Sequence, residues 1–109
     1  SNGGLIVPTT RHFVKARFPK KINTNLEADI AEAVSDLCLE NALEDSFNDG
    51  TKVFCDEDTL YVHIDDLNSE DVMVIGQLAR RIYGLGAVKV AHLSQMYLDN
   101  AEMFELIKL

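Results

Sequence analysis

The period of the apolar residues changes along this chain, and the order of those changes limits the folds open to it. His12, Val14, Ala16 and Phe18 alternate with Phe13, Lys15 and Arg17, so 12–18 reads as a strand with two distinct faces. Pro19 and the Lys20-Lys21 pair end it. From Thr24 the period lengthens. Leu26, Ile30, Val34 and Leu37 recur at the spacing of one helix face, and Thr24 with Glu27 has capping-box spacing. Leu39 and Leu43 fall off that face, which predicts either burial on two sides or contact with a neighbouring chain.

Asn48-Asp49-Gly50 reads as a turn, and the period then shortens over 52–55 and 59–65. These two stretches predict a hairpin around the acidic turn Asp56-Glu57-Asp58, with Leu60, Val62 and Ile64 on one face and Tyr61 and His63 on the other. A second helix follows, capped by Asn68 with Asp71 or by Ser69. It presents Val72, Ile75, Gly76, Ala79 and Ile82 and stops at Gly84. Residues 87–98 return to period two, with Val88, Val90 and His92 on one side and Lys89, Ala91 and Leu93 on the other. Asp99 and Glu102 have N-cap to N3 spacing, so Met103, Phe104, Leu106 and Ile107 predict a short C-terminal helix.

The element order β-α-β-β-α-β implies an α+β, ferredoxin-like domain. Right-handed crossovers would place both helices on one face of an antiparallel four-stranded sheet of order 4-1-3-2. The domain is expected over 12–109, with 1–11 as a flexible arm and 1–4 as a cloning remnant. A chain of 109 residues is long enough for one core of its own. Its apolar runs are far shorter than the roughly 20 residues that span a bilayer, and no leader is visible, so a cytoplasmic protein is expected. Cys38 and Cys55 lack metal-ligand or redox spacing and read as reduced thiols.

Charge is distributed unevenly. Fifteen of the eighteen acids lie between Glu27 and Asp71, where Lys52 is the one base. Arg11, Lys15, Arg17, Lys20 and Lys21 precede them in a stretch without acids. Asp29, Glu32, Asp36 and Glu40 form a stripe along the first helix. In the expected topology, Glu40, Glu44, Asp45, Asp49, Asp65, Asp66, Glu70, Asp71 and Asp99 converge on one pole. Lys20, Lys21, Arg80 and Arg81 meet Asp56, Glu57 and Asp58 at the other.

No enzyme is expected, and no cofactor or metal. The acidic turns do not match a calcium-loop pattern, and the alternation keeps His12, His63 and His92 from sharing one face. Neither cysteine has a positive neighbour in sequence that favours a thiolate. Gly84-Leu85-Gly86 follows a helix instead of opening one, so it is a stop signal and not a phosphate cradle.

A net charge of −8 repels nucleic acid as a whole and fits a basic protein partner, such as a nucleic-acid-processing enzyme. In size and charge the chain resembles phage inhibitors of host nucleic-acid enzymes, anti-CRISPR and anti-restriction proteins among them, and the immunity proteins that block nuclease toxins. That resemblance implies a non-catalytic DNA mimic; the stripe and the acidic pole make Asp29, Asp36, Glu40, Asp65, Asp66, Glu70 and Asp71 its expected contacts. A second reading rests on Phe13, Lys15, Arg17, Tyr61 and His63, on the helix-free face of the two central strands. Their placement resembles RNA-recognition-motif domains, without the family's basic-Gly-aromatic signature on the third strand. It implies binding of single-stranded RNA or a small ligand. A structural homodimer using the same face is the third.

Overall fold

The computed structural model describes residues 9–41, 51–64, 72–98 and 101–108. The elements are β1 (Thr9–Arg17), α1 (Thr24–Glu40), β2 (Thr51–Asp56), β3 (Thr59–Ile64), α2 (Met73–Gly84), β4 (Lys89–Leu98) and β5 (Ala101–Lys108). They form an α+β fold in which an open antiparallel sheet has the order β2-β3-β1-β4-β5. No helix among the described residues is long and apolar enough to cross a membrane.

The difference from the expected order 4-1-3-2 lies at the C-terminus. Residues 101–108 are a strand and not a helix, paired with β4 from Leu98↔Ala101 to Ala91↔Lys108. Short apolar runs fit either period, and here the free edge of the ten-residue β4 offers a ladder of backbone partners that an eight-residue helix would leave unused. β1 also starts earlier than expected, at Thr9, so 9–11 belong to the sheet and not to an arm. The lead-in before Thr9, the Asn48-Asp49-Gly50 turn and the caps Asn68, Ser69 and Asp71 lie outside the described residues.

One face of the sheet is covered by both helices. His12, Val14, Ala16, Leu60, Val62, Ile64, Val90 and His92 are buried on it, as their alternation required. Ile30, Val34, Leu37 and Cys38 of α1 and Val74, Ile75, Leu78, Ala79 and Ile82 of α2 complete one core with these strands. Each fully buried Leu or Ile contributes about 1.5–3 kcal/mol relative to exposure. The face of α2 is rotated from the expected one, with Val74 and Leu78 inside and Val72 and Gly76 only half-buried. Leu39 is exposed, so α1 is not buried on two sides among the described residues.

Local chemistry sets the element ends. Asn23, not Thr24, caps α1: its Oδ1 accepts from the Leu26 N–H at 2.8 Å. Thr24 is the first helical residue, and the Glu27 N–H closes the first helical turn on the Asn23 carbonyl at 2.9 Å. α2 ends at Gly84 as expected, but the glycine that turns the chain out of the helix is Gly86. Its φ of 109° admits glycine, and the Gly86 and Ala87 N–H groups donate to Tyr83 and Ile82 in a Schellman arrangement. The β2–β3 turn is only two residues, Glu57 and Asp58, with Glu57 at φ 54°. The Asp58 and Glu57 carbonyls accept from Phe18 and Ile22, each at 2.8 Å, fastening this turn to the link after β1.

Candidate functional site

The two-residue turn fixes the register of the sheet's other face. With Asp56 opposite Thr59, Phe54 falls opposite Tyr61 and Lys52 opposite His63. The β1 ladders continue these rows: Tyr61↔Lys15↔Ala91, His63↔Phe13↔Leu93 and Thr59↔Arg17↔Lys89. Phe13, Lys15, Arg17, Tyr61 and His63, the five residues expected on this face, are therefore all brought together on it.

The rings pack in pairs. Phe13 and His63 stack with centroids 4.6 Å apart and planes 10° apart. Phe54 and Tyr61 lie at 6.0 Å and 37°. Lys15 Nζ sits over the Tyr61 ring, 5.6 Å from its centroid, a cation–π contact. Together with Lys52, Ala91 and Leu93 they line a shallow concavity of about 420 Å³. The rings stay accessible, with Phe54 62% and Tyr61 39% exposed. Beside it, Lys15, Arg17, Thr59 and Lys89 border a second cavity of about 250 Å³.

Lys89 lies on the face that its alternation with Val90 predicts, whereas Phe54 and Lys52 are not expected there from the sequence. A three-residue turn at 56–58 pairs Cys55 with Thr59 and sends Phe54 out of Tyr61's row. The usable signal is the β pairing of Phe54 with Tyr61, which a two-residue turn allows and a three-residue turn does not.

The helix side carries the opposite charge. Asp29, Glu32 and Asp36 are exposed along a groove between α1 and α2, where Ala33, Arg81 and Leu85 form the rest of the lining. Arg81 was expected at the opposite pole. It instead forms an ion pair with Glu40, so one acid of the stripe is already partnered. Asn41 Nδ2 donates to Gln77 Oε1 at 3.0 Å beside it. Of the acids expected to dock a partner, Asp65, Asp66, Glu70 and Asp71 lie outside the described residues, as do Glu44, Asp45, Asp49 and Asp99.

His12 and His92 are buried under the helix layer while His63 faces the other way, so the three are split as the alternation predicted. His12 Nδ1 lies 2.7 Å from His92 Nε2, and Ser94 Oγ lies 3.1 and 3.2 Å from the same two atoms. Burial first, and the charge of His92 second, push the His12 pKa down to about 4. Cys38 and Cys55 are free thiols. Burial, and then Glu27, raise the Cys55 pKa, which disfavours its thiolate. Among the described residues no group of three His, Cys, Asp or Glu side chains is placed to hold a metal ion.

No family model, curated protein or solved structure matches this chain.

Proposed function

We propose that this protein binds single-stranded nucleic acid on the open face of its sheet, without catalysis. The observation that carries this reading is the interleaving of Lys15, Arg17, Lys52 and Lys89 with Phe13, Phe54, Tyr61 and His63 on the face that neither helix covers. Every base has a π-face to stack on an exposed ring, and each phosphate needs a nearby cation. The net charge of −8 argues against nucleic acid only if the charge is spread evenly. Here exposed acids line the helix groove on the far side, and the local field of the sheet face governs encounter. A ferredoxin-like topology extended by β5, and a reducing compartment such as the cytoplasm for the two free thiols, belong to the same proposal.

Fluorescence anisotropy with labelled eight-nucleotide RNA and DNA strands at low salt tests it. Removing both rings in Phe54→Ala with Tyr61→Ala should weaken binding at least tenfold, since base–aromatic stacking is worth about 1–3 kcal/mol per base. The affinity should also fall steeply with added salt. No binding of any strand by the wild-type protein at low salt ends this reading.

A second reading keeps the acidic groove as the docking surface for a basic protein, in the manner of a DNA-mimic inhibitor. Exposed Asp29 and Asp36 on one helix face favour it. Capture of a basic, nucleic-acid-processing partner that is lost in Asp29→Asn with Asp36→Asn would select it over the first. A homodimer closed on the sheet face predicts concentration-dependent mass in light scattering and competition with the oligonucleotide.

A further inference from the structure

The smaller cavity on the sheet face differs in chemistry from its neighbour. Three cations, Lys15, Arg17 and Lys89, border about 250 Å³, and no carboxylate among the described residues lines it. The Thr59 hydroxyl at its rim already donates to Asp58 Oδ1 at 2.9 Å, so the ligand-facing groups are the cations. The cavity also lies where the sheet stops. Arg17 is the last residue of β1, Lys89 the first of β4 and Thr59 the first of β3.

We infer that Lys15, Arg17 and Lys89 form a subsite for a terminal phosphate monoester, so that the protein holds a nucleic-acid strand by its phosphorylated end. This rests on the reading that the sheet face binds a single strand. An internal phosphodiester carries one negative charge, whereas a monoester carries about −1.5 to −2 and three strong acceptor oxygens, a better match to three cationic side chains bordering one cavity. What lies beyond the cavity agrees with an end. Glu57 and Asp58 form the turn past the Thr59 row, so a chain of phosphates continuing past this point would run against carboxylates. In the other direction Lys15 and Ala91 are shared with the aromatic concavity, which gives the following nucleotides a path onto Tyr61 and Phe54. Rows along a strand are about 7 Å apart, two residues of rise, which is close to the spacing of phosphates in an extended strand.

The test compares octanucleotides of one sequence ending in a 5′-phosphate, a 3′-phosphate or hydroxyls at both ends. One of the two phosphorylated strands should bind about tenfold tighter than the hydroxyl-ended strand, the size of one or two charge-assisted hydrogen bonds. Lys89→Gln should shrink that ratio, whatever it does to both affinities. Equal affinity for all three strands, or a ratio unchanged in Lys89→Gln, overturns the inference while leaving strand binding intact. If no strand binds, the parent reading fails and the subsite is decided separately by titration with inorganic phosphate and ribose 5-phosphate. Amide shifts at 15–17 and 89–91 that saturate with either compound would keep the subsite; their absence would remove it.

Discussion

His12 is the residue whose chemistry most exceeds its place in the pattern. Alternation alone puts it in line with Val14 and Ala16, and it is as buried as they are. An imidazole there must find partners, and it has His92 and Ser94 on Nδ1 while Nε2 has none among the described residues. The fold therefore favours the neutral ring, and its pKa is about 4 against 6.5 in the unfolded chain. The unfolded state takes up the proton first as pH falls. Stability from this group is complete above pH 6.5 and is lost progressively down to about pH 4, a change of about 3 kcal/mol. Urea melts of wild type and His12→Phe across that window should differ in slope, the variant losing less as pH falls. Parallel profiles would show that another group sets the acid limit.

At the scale of elements, two-sided strands were legible and their ends were not. β1 and β3 announce themselves because every second residue is apolar, as in Val14-Lys15-Ala16 and Leu60-Tyr61-Val62. β5 did not, because Met103-Phe104-Glu105-Leu106-Ile107 satisfies neither period cleanly and its state is decided by the edge of β4. Capping shows the same limit on a finer scale. Thr24 with Glu27 has the right spacing for a capping box, but Asn23 one position earlier holds the cap. Asn23→Ala should cost about 1 kcal/mol in chemical denaturation and Thr24→Ala a few tenths at most. The reverse order would restore the capping box.

For the molecule as a whole, the uneven charge was readable but its geometry was not. The acids of α1 and the cations of β1 are near neighbours in sequence, and only the sheet places them on opposite sides of the core. The five sheet-face residues chosen from alternation converge, since parity within a strand is local information. Lys52 and Phe54 are not legible in this way because their side depends on a register set by a two-residue turn, and the place of Lys89 beside Arg17 depends on a pairing between distant segments.

The position of β1 has a further consequence, for the order in which the chain can assemble. It is made first, yet it is the central strand, with β3 on one side and β4 on the other. Val14 meets Val62 and then His92, so neither ladder can close until long stretches of later chain are available. A sheet built from such separated pairings folds more slowly than a helical bundle, on a scale of about milliseconds instead of microseconds. Stopped-flow refolding should find its main phase there, and a microsecond phase carrying the full amplitude would contradict it. On the ribosome, β1 must leave the tunnel with Val14 and Ala16 uncovered and wait for Val62 and Val90 to follow.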